Sequence, residues 1–182
     1  HLRLLRRRER LDELIAKKGT ELDKIVALRK WAHELWKPSA APFYYPAWDA
    51  VEIIDLARNH GNRAFCAQYA IVFLQACRAV GLHARYINLG HFLTEVWSNE
   101  HDRWIIMDPT NDIHYEMDGR PLGGLFLSQA SPQETAAIYR VGSDGTRGSG
   151  SPADIALYGN YSVMLRSDQL SVPIVITNNS KT

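Results

Sequence analysis

The sequence has few cysteines, no long apolar run and almost no net charge, and each absence excludes a class of protein. No stretch is long and apolar enough to span a bilayer as a helix, so we expect no membrane span. A formal net charge of +1 over 182 residues gives no basis for a nucleic-acid partner. This length favours one domain, residues 1–182, with enough chain to bury a core.

The two cysteines do not suggest a disulfide. Cys66 and Cys77 lie in one predicted helix, where eleven positions correspond to roughly 16 Å along the axis. A disulfide requires Cα atoms within about 7 Å, so both thiols are expected to be reduced, and Cys77 is expected to pack in the core. Neither cysteine has the C-x-x-C partner of a zinc site.

The spacing of the histidines also predicts no metal site, and nothing in the chain calls for an organic cofactor. Four of them are expected to be surface or packed residues: His33, His83, His101 and His114.

The most informative stretch begins with a long apolar helix. Residues 66–80 are apolar nearly all round, which predicts a helix buried on most sides, and Gly81 is suited to end it. Cys66 falls in the first turn. Unpaired backbone N–H groups and the positive end of the helix dipole stabilise a thiolate there.

Three short segments of strand-like composition follow this helix, LHARYINL, HFLTEVWS and RWIIMD, with polar turns between them. The second opens on His91 and the third closes on Asp108. Antiparallel pairing would place both side chains against the helix start, beside Cys66. A histidine can take the proton of a cysteine thiol, and a carboxylate orients the imidazole and stabilises its charged form.

The same residues resemble a known family. The run CAQYAIVFLQACRAVGLHARY, then H-x-x-x-E-V-W, then R-W-x-x-x-D-P-T, is similar to the core of the transglutaminase-like superfamily in its bacterial form. The resemblance implies an α+β, papain-like fold, with a central cysteine-bearing helix packed on an antiparallel sheet and helices before it. It also implies Cys66 as nucleophile, His91 as base and Asp108 as orienting acid.

The sequence departs from the family at two places. Phe92 and Leu93 follow the histidine, where many relatives have a small residue and a tryptophan. Ala67 stands where animal cross-linking enzymes often have a tryptophan after the cysteine. Calcium-dependent cross-linking is therefore not implied.

Other side chains are candidates for supporting the site. The backbone N–H of Cys66 is the expected first oxyanion donor, and His60 or Asn62 could supply a second one or simply form a turn. Glu95 shares a strand face with His91 by the period of two. It is expected to support the site, or else to pair with an arginine such as Arg85.

Three aromatic residues are candidates for lining a substrate cleft. Tyr45 and Trp48 belong to the aromatic-rich loop APFYYPAW, which could wall a cleft or pin the loop to the core. Trp97 continues the strand face of Glu95 and could cover the cleft or pack inside.

The remaining chain is predicted to be accessory to residues 61–128, the expected catalytic core. Residues 1–60 are expected to form helices over 1–18, 20–36 and 49–58, with the aromatic loop at 38–48. A hairpin is expected over 111–122. Residues 129–182 are expected to contain a helix over 131–140, a flexible glycine-rich loop over 141–152, and edge strands over 156–166 and 172–177.

Three classes of function fit this pattern. The favoured one is a thiol acyl-transfer enzyme, a cysteine peptidase or amidase acting on a protein or peptide substrate. Such an enzyme forms a thioester on its cysteine. If an amine rather than water reacted with that thioester, the protein would be a protein-glutamine transglutaminase. An acyl-CoA-dependent N-acetyltransferase is disfavoured because no glycine-rich phosphate cradle adjoins the triad. A catalytically silent binding module is the third class.

The cellular location and the oligomeric state stay open. No signal peptide is visible, but the chain begins at His1 rather than methionine. A bacterial cytoplasm and export with the signal removed are both compatible with the sequence.

Overall fold

The structure, a computed structural model, describes residues 1–36, 46–62, 64–165 and 174–177. The helices before the first strand are α1 (Leu2–Arg8), α2 (Leu11–Ile15), α3 (Glu21–Glu34), α4 (Ala50–Asn59) and α5 (Cys66–Ala79). The central strands are β1 (Ala84–Asn88), β2 (Phe92–Ser98), β3 (Arg103–Asp108), β4 (Ile113–Met117) and β5 (Arg120–Pro121). There follow α6 (Gly124–Gln129), α7 (Pro132–Ala137), β6 (Tyr139–Gly142), β7 (Arg147–Ser149), α8 (Pro152–Ala156), a 3₁₀ turn (Leu157–Asn160), β8 (Ser162–Leu165) and β9 (Ile174–Thr177).

One antiparallel sheet connects these strands in the order β7-β6-β4-β3-β2-β1-β8-β9, and β5 pairs with β4. Helix α5 packs on β1 and β2 and contacts α1, α3 and α4 on its other sides. The predicted α+β fold, a buried cysteine-bearing helix against an antiparallel sheet with helices before it, is confirmed.

The helix starts follow from local hydrogen bonding. Thr20 and Asp23 form a capping box at α3, and the carboxylate of Asp49 accepts two backbone N–H groups at α4. At α5 the side chain of Gln68 accepts the backbone N–H of Phe65 at 3.2 Å. This bond fixes the turn that presents Cys66.

The sheet separates two apolar cores. On one face, α1 to α5 pack against residues such as Tyr86, Val96 and Ile105. On the other face, Leu93 and Ile106 pack against α6, α8 and the 3₁₀ turn. Cys77 is fully buried in the first core, and both cysteines are free thiols, as predicted. No described helix is long and apolar enough to cross a bilayer.

Several predicted boundaries differ from the structure. The first helix is broken at Arg10, whose φ of 53° is left-handed, so α1 and α2 are separate. Helix α3 ends at Glu34, and α7 ends at Ala137.

Residues 141–152, predicted as a loop, contain the end of β6, the whole of β7 and the start of α8. Backbone pairing of β6 with β4 and of β7 with β6 overrides the local preference of a glycine-rich segment. Residues 156–161 are helical or irregular rather than extended, whereas β8 and β9, which lie within the predicted edge strands, pair antiparallel.

Candidate active site

Three elements meet at one end of the sheet and bring the predicted triad together. Cys66 is the first residue of α5, His91 immediately precedes β2, and Asp108 is the last residue of β3. Because β2 and β3 pair with Thr94 opposite Met107, the start of β2 lies beside the end of β3. The register therefore sets His91 next to Asp108.

The imidazole of His91 is anchored by the acid. Its Nε2–H donates to Asp108 Oδ2 at 3.0 Å. The side chain of His91 remains 26 % exposed, whereas that of Asp108 is 7 % exposed. With Nε2 engaged, Nδ1 is the ring nitrogen left to interact with Cys66, whose thiol lies close enough to His91 for each group to shift the pKa of the other.

The carboxylate of Asp108 is held by the turn that follows it. Oδ1 accepts the backbone N–H groups of Thr110 at 2.8 Å and Asn111 at 3.1 Å. Oδ2 accepts the side-chain amide of Asn111 at 2.7 Å. Burial raises the pKa of Asp108, but the hydrogen bonds and charge of His91, together with Asn111, outweigh burial and lower it. Asp108 is therefore an anion at neutral pH.

The thiol of Cys66 is biased toward the thiolate. Burial raises its pKa, but a hydrogen bond from His91, the backbone N–H groups of Phe92 and Ala67, and the charge of His91 together lower it below the ordinary value. The first turn of α5 adds its dipole.

The imidazole of His91 shows the complementary shift. Burial lowers its pKa, but the hydrogen bonds and charges of Asp108 and Cys66 raise it to about 10. Because the thiol pKa falls while the imidazole pKa rises, the shared proton is shifted from Cys66 toward His91. Such a pair can supply both a nucleophile and a proton donor.

Glu95, a predicted support residue, and Trp97, a predicted cleft residue, make their described contacts outside the triad. Glu95 is fully buried on the sheet face opposite α5. There it accepts hydrogen bonds from Arg85 at 2.7 Å, Tyr161 at 2.9 Å and the backbone of Gly124 at 2.6 Å. Trp97 packs edge-on against Trp104 at 5.7 Å. Of the two roles predicted for Glu95, pairing with Arg85 is confirmed. Support of the triad by Glu95 and cover of a cleft by Trp97 stay predictions, and both side chains lie on the second face of the sheet.

The candidate second oxyanion donors lie around the end of α4. His60 is exposed, and its Nε2 lies 3.6 Å from Asp55 Oδ2. The backbone N–H of Asn62 donates to Leu56 O at 3.0 Å, which closes α4. Cys66 itself is at the first helical position, where a backbone N–H has no intrahelical acceptor. The backbone of Cys66 stays the predicted oxyanion donor.

Of the two predicted cleft residues in the aromatic loop, Tyr45 lies outside the described residues. Trp48 packs against Tyr86 with ring centroids 4.9 Å apart, and Tyr86 stacks on Phe92 at 5.3 Å. Trp48 also lines a cavity of about 620 Å³ along α5, whose described walls include Leu74, Gln75 and Arg78 but not Cys66 or His91. A role for Trp48 in substrate binding stays a prediction.

Sequence reasoning missed Asn111 and the backbone groups around it. The residues after Asp108 read Pro-Thr-Asn, and an Asp followed by such residues often accepts backbone N–H groups two and three positions on. That local signal was available. Across the described ranges, no three histidine, cysteine or acidic side chains are grouped to hold a metal ion.

A helix-borne cysteine, a histidine and an aspartate arranged in this way define the class of papain-like thiol proteins. A sequence profile of the transglutaminase-like superfamily matches residues 8–109, more than half of the 182 residues. The chain belongs to that superfamily, as the sequence motifs predicted.

Individual relatives cover the chain unevenly. It is 40% identical over 54 residues to the peptide-N(4)-(N-acetyl-beta-glucosaminyl)asparagine amidase of Gallus gallus, which is 29% of this chain and 8% of that enzyme. A candidate cysteine protease from Cytophaga hutchinsonii is similar in structure, with a TM-score of 0.46 and 18% identity over 98% of this chain and 51% of that one. A candidate protease from Parabacteroides distasonis has a TM-score of 0.42 and 12% identity over 82% and 30% of the two chains. The chain thus spans about half or less of these proteins.

Proposed function

We propose that this chain is a cysteine peptidase or amidase that cleaves peptide or isopeptide amides in a protein or peptide substrate, with residues 1–182 acting as one transglutaminase-like domain. The observation that carries the proposal is the Cys66–His91–Asp108 arrangement, in which the thiol pKa is lowered and the imidazole pKa is raised to about 10.

In the first half-reaction the Cys66 thiolate attacks the amide carbonyl carbon, and a carbon–sulfur bond forms. The backbone N–H of Cys66 is the proposed donor to the resulting oxyanion. The His91 imidazolium then gives its proton to the leaving nitrogen, and the carbon–nitrogen bond breaks. A thioester on Cys66 and a free amine result.

In the second half-reaction neutral His91 takes a proton from water, and the hydroxide oxygen attacks the thioester carbonyl. The carbon–sulfur bond breaks and the thiolate of Cys66 returns, with the acid as product. Asp108 stays ionised throughout and stabilises the imidazolium each time it forms. Hydrolysis is the favoured resolution because water is always present. An amine acceptor in place of water would give transamidation.

The test is a panel of amide substrates: a mixed peptide library, an isopeptide between glutamine and lysine side chains, and a glycosylated asparagine peptide. Each is incubated with the wild-type chain, with Cys66→Ala and with the matched thiol control Cys77→Ala, with and without added primary amine. Cleavage that is lost in Cys66→Ala and kept in Cys77→Ala supports the proposal. A product that incorporates the amine in preference to water identifies a transglutaminase. No turnover of any substrate, with an ordinary titration of the Cys66 thiol, favours a binding module.

A further inference from the structure

Helix α3 contacts the turn after Asp108 through two side chains one helical turn apart. His33 Nδ1 lies 3.1 Å from Pro109 O and 3.1 Å from Thr110 O. Arg29 Nε donates to Asp112 Oδ1 at 2.9 Å. Positions i and i+4 share a helix face, so residues 29 and 33 hold both ends of the 109–112 turn from the same side.

The tautomer of His33 follows from its partners. Both groups that face Nδ1 are carbonyl oxygens, which can only accept, so Nδ1 carries the hydrogen and donates to both. His33 is half-buried, and its ring lies against Tyr69 with centroids 6.4 Å apart. The donor is thereby fixed in direction.

Arg29 is fully buried and is fixed by more than one contact. Its Nη1 donates to His114 Nδ1 at 2.8 Å and lies 3.4 Å from Met107 Sδ. Met107 is the residue before Asp108 on β3, and Asp112 ends the turn that follows it. Arg29 therefore contacts side chains on both sides of Asp108 along the chain.

We propose that Arg29 and His33 are positioning residues for Asp108. The inference rests on the proposed function of the triad. The turn that they hold carries the three N–H donors that fix both oxygens of the Asp108 carboxylate. Without the contacts from α3 the turn would relax, the carboxylate would lose its alignment with His91 Nε2, and the imidazolium would be less stabilised. The effect passes through Asp108, because neither residue contacts the thiol.

The charged and titratable groups around Asp108 set the direction of the effect. His91 faces it from the start of β2, and the charge of Arg29 reaches it from α3. Tyr115 on β4 and Tyr158 in the 3₁₀ turn face it from the other core, and burial keeps both phenols neutral. Loss of alignment between Asp108 and His91 would therefore lower the pKa of His91 and raise that of Cys66.

The test is the pH dependence of Cys66 alkylation by iodoacetamide in a Cys77→Ala background. His33→Asn keeps an N–H donor near the position of Nδ1, whereas His33→Leu removes it and keeps the bulk. Ile25→Val, a core change on the same helix, is the control for lost stability alone. If circular dichroism shows that His33→Leu is not folded, His33→Ala replaces it in the same comparison.

We expect His33→Leu to titrate at higher pH and to react roughly tenfold more slowly near pH 6, an effect typical of losing a group that orients a functional side chain. His33→Asn and Ile25→Val should match the parent. Two outcomes overturn the positioning role and leave the proposed function standing. In the first, the thiol pKa is low in the parent and unchanged in His33→Leu. In the second, Ile25→Val shifts the thiol pKa as much as His33→Leu does. An ordinary thiol titration in the parent overturns both.

Discussion

His91 and His114 make the same contact and have opposite properties. Each places Nε2 3.0 Å from a carboxylate oxygen, His91 on Asp108 and His114 on Glu116. The pKa of His91 is raised to about 10. Burial and then the charge of Arg29 lower the pKa of His114 to about 4, although Glu116 opposes them.

The second neighbour of each ring decides the difference. His91 faces Cys66, which gains stability as a thiolate beside an imidazolium. His114 faces the guanidinium of Arg29, so its Nδ1 must be an unprotonated acceptor. Glu116 is further neutralised by Arg147 at 2.8 Å. A carboxylate beside a histidine therefore does not by itself predict a charged imidazole, since the group on the other ring nitrogen can reverse the shift.

Removing the imidazole of the reactive pair should have the largest effect. In His91→Ala the Cys66 thiol loses its counter-charge, so its titration should move up toward the ordinary value near about 8.5. Alkylation near pH 6 should fall by about 10- to 100-fold because less of the thiol is ionised, and the fall is limited because a less acidic thiol is intrinsically more nucleophilic. Amide turnover should fall by at least about a thousandfold. Stopped alkylation assays across pH, with Cys77→Ala as the background, measure the first two quantities. An unchanged titration would contradict the ion pair.

Removing the buried cation beside His114 should lower the stability of the fold. Arg29→Met leaves Asp112 and His114 without their buried donor, and we expect the free energy of unfolding to fall by about 3 kcal/mol. The pKa of His114 should rise, because the charge that lowers it is gone. Urea unfolding measures the first quantity and histidine NMR titration the second. A His114 that still titrates near pH 4 in this variant would show that burial alone sets its pKa.

The acid sensitivity of the fold should depend on His114. Its folded pKa of about 4 lies below the unfolded value near about 6.5, so the unfolded chain binds more protons between these values. Stability should be complete above about pH 6.5 and should fall as the pH drops toward 4, by no more than about 1.4 kcal/mol per pH unit from this group. His114→Gln, which keeps an acceptor and a donor, should flatten that slope. Urea unfolding at several pH values compares the two chains, and parallel curves would assign the acid sensitivity elsewhere.

The smallest effect on the reactive site should come from the opposite face of the sheet. Glu95→Gln weakens the buried bonds to Arg85 and Tyr161 and should lower the free energy of unfolding by about 2 kcal/mol. The pH dependence of Cys66 alkylation should stay that of the parent, because Glu95 points away from α5. A shift in the thiol titration would place Glu95 back among the residues that support the triad.

Sequence reasoning predicted the fold class and the three residues that the site brings together, because these depend on local signals. A helix start, two strand ends and short turns are each determined by residues that are adjacent in the sequence. The pairing of Glu95 with Arg85 was predicted as one of two alternatives. Its hydrogen bonds with Tyr161 and the backbone of Gly124 were not predicted, because these partners lie 66 and 29 positions away along the chain. The contacts of Arg29 and His33 join residues 76 or more positions apart along the chain, and no local pattern encodes such pairing.

The burial of Cys77 has a practical consequence for work on this protein. Cys66 is partly exposed at the helix start, and Cys77 is fully buried in the same helix, where burial raises its pKa. A thiol reagent should thus consume one equivalent on native chains and two on unfolded ones. The stoichiometry of labelling, read by intact mass, becomes a gauge of how much of a preparation is folded, in the same spectrum that reports the reactivity of Cys66.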